Sequence, residues 1–479
     1  MKEALAWTAV EAVDHLRNGD VTPAELLAVA ADRIAEVDPA VNAMPTLCFD
    51  RAATMAANLP EPVEGDPGHL YGLPIAIKDL TAVKGVRTTF GSPIFADNVP
   101  DTSDLLVTGL ERRGGVIVGK ANTPEFGAGA QTFNEVFGVT RNPWNTSKTP
   151  GGSSGGSAVA VATGQVWLAQ GSDLGGSLRI PASFSGCVGL RPSPGRVARG
   201  PATMPFAPNS VEGPMARTVG DIALFLDALA GMRRHDPISL PAPAVSFQQA
   251  FRDARPPKRV AFSMDLGISP IHPDVRAGTE AALSAFADMG TEVLPLEVDF
   301  SDAEPIFQVL RAAQFAALHA PKLTQFRDKL KPEVIWNIEK GLALTADEIG
   351  QAERARADLY HRFVQVFDNV DAVVTPTVNT PPFDADIRYL EELDGQPFES
   401  YISWLIMTFA ITLTTCPAIS VPCGMTPDGL PLGLQIVGPP RGEDRLLGVA
   451  RYYEEAQMKG AAAPGGVLRR LPVDPLVVE

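Results

Sequence analysis

The chain has 479 residues, 45% hydrophobic and 20% charged, with a formal net charge of −16. That is an ordinary soluble composition, long enough for one large core or two to three smaller domains. The charge argues against nucleic-acid backbones and anionic membranes as partners, and mildly disfavours strongly anionic substrates.

The N-terminus carries Glu3, Glu11 and Asp14 and lacks the apolar stretch of a secretory signal. "TPAELLAVAADRIAEVD" reads as a helix, with Thr22 as N-cap, Pro23 in the first turn and Glu25 closing a capping box. Leu26, Leu27, Ala30, Ile34 and Val37 form its apolar face. "YGLPIAIKDL" and "GGVIVGKAN" read as strands, and "SAVAVATGQVWLAQ" as a buried helix, small and apolar nearly all round. "KRVAFSMD", a helix over 273–289 and "TEVLPLE" continue the α/β alternation, and 300–400 is mostly helical. "SYISWLIMTFAITLTTCPAISVPCGMTP" has no charge, but Pro417 and Pro422 cut its apolar helix to about a dozen residues, short of the roughly 20 of a membrane span. It reads as a buried helix followed by a core strand. "DAVVTPTV" and "LGLQIVG" are further strands, and "GEDRLLGVARYYEEAQ" is a closing helix.

This pattern predicts an α/β fold: one large domain, 1–479, with a central mixed β-sheet covered by helices on both faces. Cys48, Cys187, Cys416 and Cys423 have apolar neighbours and no CxxC spacing, so reduced thiols in a cytoplasmic protein are expected. The six histidines form no HxH or HExxH pattern, and no metal site is expected.

Two motifs mislead. "GGVIVGKA" (Gly114–Ala121) approximates a phosphate loop, but Ala121 replaces the needed hydroxyl and the intervening residues are a β-branched strand. "GGSSG" (Gly151–Gly155) fits the nucleophile-elbow pattern, but a proline-rich loop precedes it rather than a strand. None of His235, His272, His319 and His361 sits in a motif.

Chemistry concentrates in two serine-bearing glycine runs, "GGSSGGSAVA" around Ser153 and "GSDLGGSLRIP" around Ser177, 24 residues apart. Glycines let backbone N–H groups converge as an anion cradle, and a serine inside one is a candidate nucleophile. Serine needs a base, and no histidine is near. Lys78, preceded by the uncharged "GLPIAI", is a candidate because burial favours the neutral amine. The alternative is a Lys78–Asp79 pair at a strand end, with purely structural glycine loops.

Lys78, the two serine loops and their spacing resemble the amidase signature family, serine hydrolases with a Ser–cis-Ser–Lys triad. "FGVTRNPWN", "GPMARTVGDIA" and "PAISVPCGMTPDGLPLGLQIVG" extend the resemblance over roughly residues 5–458, with a core motif region at about 70–220 and a variable substrate side at about 235–400. The resemblance implies hydrolysis of a carboxylic amide, with ester and carbamate open, through an acyl-enzyme on Ser177. Ser153, on a cis peptide after Gly152, would bridge Ser177 to the base Lys78. The backbone of Leu174, Gly175, Gly176 and Ser177 would form the oxyanion hole, with Ser154, Asp173 and Arg179 in support. Phe126, Gly127 and Gln131 are expected against the substrate. The implied reactants are a small amide and water, without cofactor, and a homodimer is a family-level expectation. The family also contains the glutaminase subunit of tRNA-dependent amidotransferases. This chain departs from that member's pattern at Ile180, where Gln is typical, and in "SVEGP" (Ser210–Pro214), where S-x-D-x-x-G-P is typical. Phe307, Phe315, Trp336, Phe383 and Trp404 are candidates for either an apolar pocket or the core.

Overall fold

The computed structural model describes residues 2–459; Met1 and residues 460–479 of the expected domain lie outside the described residues. Eleven strands form one sheet. In chain order they are β1 (Thr46–Leu47), β2 (Pro74–Lys78), β3 (Val116–Ala121), β4 (Leu168–Asp173), β5 (Val188–Arg191), β6 (Val211–Ala216), β7 (Arg259–Phe262), β8 (Glu292–Pro295), β9 (Ala372–Pro376), β10 (Ala418–Met425) and β11 (Pro431–Val437). Across the sheet they run β1-β3-β2-β4-β6-β5-β10-β11-β9-β7-β8. β2 lies parallel to both β3 and β4, whereas β4-β6-β5-β10-β11-β9 pair antiparallel. The carboxyl ends of β2, β3 and β4 therefore open at one edge, where ligands bind in open α/β sheets.

Alternation along these strands explains why both faces are covered. Ile75, Ile77, Ile117 and Leu168 enter one hydrophobic core, while Ala76, Val116, Val118 and Ala169 enter another on the opposite face. The second core includes the wholly buried helix Gly155–Ala162. That helix lies so close to the end of β3 that a Cβ on Gly156 would be 2.3 Å from the Asn122 nitrogen. Its small residues follow from this approach.

Most elements fall where the sequence places them. Thr22 and Glu25 form the capping box, and all five apolar-face residues of that helix are buried. The helix read over 273–289 is Pro273–Asp288. Helices Ala303–Phe326, Pro332–Leu342 and Ala346–Val364 fill the segment between 300 and 400. Ile406–Leu413 is a buried helix leading into β10, and no described helix is long and apolar enough to cross a membrane. The four cysteines are unpaired.

"SAVAVATGQVWLAQ" is the exception, because it is not one helix. The helix stops at Ala162, Gly164 turns with φ +73°, and Leu168 begins β4. A left-handed glycine ends the helix, and the Val166–Trp167–Leu168 run suits the buried strand between β2 and β6. The phosphate-loop lookalike is β3, as its β-branched residues imply.

Asp79 does not pair with Lys78. Its carboxylate accepts from Lys120 Nζ at 3.0 Å and from the Thr89 N–H at 3.0 Å. Lys120 also donates to the Thr81 carbonyl and Thr88 hydroxyl, each at 2.8 Å. Removing one partner of a buried ion pair strands the other charge. Lys120→Met is therefore expected to cost about 3–5 kcal/mol of folding stability, readable as a lowered urea midpoint with unchanged slope.

Candidate active site

Lys78 ends β2 and is completely buried. Its Nζ lies 2.7 Å from Ser153 Oγ, 2.9 Å from Ser154 Oγ and 2.9 Å from Ser172 Oγ. Two segments deliver these hydroxyls. Ser172 comes from the end of the parallel neighbour β4, and Ser153 and Ser154 from the loop entering helix Gly155–Ala162. The Gly152–Ser153 peptide is cis. The Ser154 hydroxyl donates to the Ser172 carbonyl at 3.1 Å, so toward Lys78 it can only accept. The Ser153 proton has no such commitment.

Burial drives the Lys78 amine down to about 7, with Glu212 and Asp173 opposing. Glu212, on β6, is pushed up by burial against the pull of Arg199 and Lys78, and it accepts from Gln170 Nε2 at 2.5 Å. The Gln170 Oε1 in turn accepts the Lys78 N–H at 3.1 Å. The carboxylate thus reaches the lysine through one amide.

Ser177 follows β4 by four residues and is half-buried, while Lys78 is not accessible. The Ser154 N–H donates to the Ser177 carbonyl at 3.2 Å, joining the two serine loops. Asp173 shapes the second loop by accepting from the Gly176 and Leu178 N–H groups at 2.9 and 3.1 Å. Burial opposes its ionisation, but Arg179 and Arg191 hold its carboxyl well below the usual range. Arg179 is fully buried, bonding Asp173, the Thr408 carbonyl and Gln435, so it cannot reach a substrate. A Cβ at Gly176, where φ is +129°, would fall 2.2 Å from Thr408 Oγ1, which explains the glycine.

Ser153, Leu174, Gly175 and Ser177 line a single cleft of about 140 Å³. This is small beside the roughly 300–1,000 Å³ of drug-sized sites. Phe126 and Gly127 line it as expected; the space for a Cβ on Gly127 is 3.4 Å from Ser153 Oγ.

Two expectations are corrected. The Gly176 N–H is committed to Asp173, leaving the Leu174, Gly175 and Ser177 N–H groups without an acceptor among the described residues, as donors for an anion. Gln131 is buried, donates to the Ile387 carbonyl and does not line the cleft. Among the aromatic candidates, Phe307 and Phe315 line the cleft, Phe383 and Trp404 pack in the core, and Trp336 is partly exposed elsewhere. His319 also lines the cleft, stacked on Phe126 at 4.6 Å between centroids, and bonds no serine. Sequence reasoning missed Ser172 and Glu212. Ser172 stands inside the quoted second loop, but its approach to Lys78 depends on β2 and β4 being neighbours. Among the described residues no His/Cys/Asp/Glu group could hold a metal ion.

The low affinity of buried Lys78 for a proton has a consequence for stability. Unfolded lysine titrates near 10.4, so between about 7 and that value the unfolded chain binds more protons than the folded one. The penalty is full below about 7 and fades as pH rises toward 10. Lys78→Met is accordingly expected to gain stability relative to wild type near pH 6 and to lose that advantage near pH 10, measured by urea melts at both values.

The family model described as Amidase matches residues 25–447. A glutamyl-tRNA(Gln) amidotransferase subunit of Synechococcus sp. (strain RCC307) is 35% identical, covering 94% of this chain and 96% of its own. An acylamidase of Rhodococcus erythropolis is 33% identical over 95% of this chain and 96% of its own. The crystal structure of a bacterial aryl acylamidase of the amidase signature family superposes with a TM-score of 0.87 at 27% identity, covering 97% of this chain and 98% of that one.

Proposed function

Because this chain belongs to the amidase signature family, we propose that it hydrolyses small carboxylic amides through an acyl-enzyme on Ser177. The observation that carries this reading is the buried Lys78 amine within 2.7 Å of the Ser153 hydroxyl, beside a half-buried serine in the same cleft.

In the proposed cycle, Lys78, whose neutral form dominates above about pH 7, takes the Ser153 proton as Ser153 takes that of Ser177. Ser177 Oγ attacks the amide carbonyl, and the developing oxyanion meets the Leu174, Gly175 and Ser177 N–H groups. As the tetrahedral intermediate collapses, the C–N bond breaks and the Lys78 proton returns through Ser153 to the leaving nitrogen. Water, deprotonated through the same relay, attacks the acyl-enzyme and releases the acid. Ser154 and Ser172 hold the amine, Asp173 and Arg179 hold the second loop, and Phe126 and Gly127 contact the substrate. Esters and carbamates can enter the same route. The size of the cleft favours short acyl groups. Four unpaired thiols support a reducing, cytoplasmic setting.

A second reading, the glutaminase subunit of an amidotransferase, has support in the name of the Synechococcus relative. Ile180 and Glu212 stand at the points of departure from that pattern; Ile180 is fully buried, and Glu212, half-buried, is held by Gln170 of this chain. Free-standing hydrolysis of aryl amides favours the first reading, and glutamine hydrolysis alone the second.

Ser177→Ala is expected to lower kcat/KM on an aryl amide by roughly 10³-fold or more without unfolding. The wild-type kcat/KM should rise with pH and level off above about 7, where Lys78 is neutral. A profile for Lys78→Ala that keeps that limb would remove Lys78 as the base.

A further inference from the structure

The helix Ala303–Phe326 lays one face along the cleft, with Phe307, Arg311, Gln314 and Phe315 at helical spacing. Phe307 sits against the nucleophile loop: a Cβ on Gly175 would be 2.9 Å from its ring. Arg311 follows one turn, about 5.4 Å, along the helix. Its side chain is 5% exposed, lying over the Phe315 and Tyr401 rings at 4.6 and 5.3 Å. Its hydrogen bonds go to Asn337 Oδ1 and the Tyr401 hydroxyl, both neutral. Among the described residues no carboxylate lies within 4.0 Å of it. Glu333, in the adjoining helix, is held by Arg388 in two hydrogen bonds of 3.0 and 2.8 Å. A buried guanidinium without a counter-ion is costly, since charged side chains are almost never fully buried unless paired.

The cleft holds a second arginine, Arg199, but it is half-buried, donates to the Ser210 carbonyl and already acts electrostatically on the Glu212 carboxylate. Among the described residues no Asp or Glu lines the cleft, although the chain as a whole carries −16. Gln314, 6% exposed, lines the same wall, and its amide has no hydrogen-bond partner among the described residues. Net charge suggested that anionic substrates are disfavoured; the local wall of the cleft reverses this, because field lines focus in a low-dielectric cleft.

We propose that the amide substrate carries a carboxylate, received by Arg311 with the Gln314 amide beside it. The proposal rests on the amide-hydrolase reading of this cleft and adds the chemical class of its substrate. A carboxylate can accept from the guanidinium donors that Asn337 and Tyr401 do not use and supplies the missing counter-charge, whereas a neutral isostere does neither.

Calorimetry on the Ser177→Ala protein reads binding without turnover. The ligands are glutaranilic acid and 4-acetamidobutyrate, which place the carboxylate on either side of the amide, each against its isopropyl isostere (5-methylhexananilide and N-(4-methylpentyl)acetamide). At least one carboxylate should bind about tenfold or more tightly than its isostere. That ratio should fall toward one when Arg311→Met is added, and to an intermediate value with Arg311→Lys, which keeps the charge and loses the fork. No preference for either carboxylate, or a preference untouched by Arg311→Met, overturns the proposal. The ligand comparison in Ser177→Ala decides even where Arg311→Met does not fold. Carboxylate selectivity in this protein with no turnover by wild type would sink the hydrolase reading and leave the carboxylate site standing.

Discussion

Everything at this site depends on a lysine amine held without water at the carboxyl end of a strand. In solution that amine would be protonated at neutral pH and useless as a base. Burial brings it down to about 7, and three serine hydroxyls replace the water it has lost. The arrangement requires β2 to lie between two parallel neighbours, because only then do Ser172 and the loop after β3 converge on the tip of the lysine. The sheet is mixed, yet parallel at this point.

The same burial explains the division of labour among charges. Lys120 and Asp79, one residue from Lys78, form a closed pair with every partner supplied by the chain. Asp173 is likewise enclosed by Arg179 and Arg191 and fixes a loop. Lys78 is the cation among these left facing hydroxyls only. Two lysines on adjacent strands thus differ in chemistry through one carboxylate, which Lys120 has at 3.0 Å and Lys78 lacks.

Much of this was legible from sequence because it is encoded locally. The glycines at 151–152 and 175–176 mark loops whose backbone must bend or approach closely, and "GLPIAIKD" shows a lysine entering an apolar strand. Resemblance to the amidase signature family joined these pieces into one site. What could not be read was lateral. Ser172 meets Lys78 only because β4 is the neighbour of β2, and Glu212 only because β6 follows. Gly176 shares the glycine loop of the oxyanion donors, but its N–H is held by Asp173, a bond no local pattern marks. The helix–strand break at Gly164 was hidden by a Val- and Ala-rich run that suits either element. Arg311 and Gln314 belong to a helix whose orientation toward the cleft no periodicity specifies.

The central claim is that Ser177 is the nucleophile and Lys78 its activator. The most direct measurement is labelling of the intact protein with a fluorophosphonate, followed by peptide mapping by mass spectrometry. The account predicts a single adduct on Ser177, formed in wild type and absent in Lys78→Ala. An adduct on Ser153, or one on Ser177 that forms equally fast without Lys78, would contradict it.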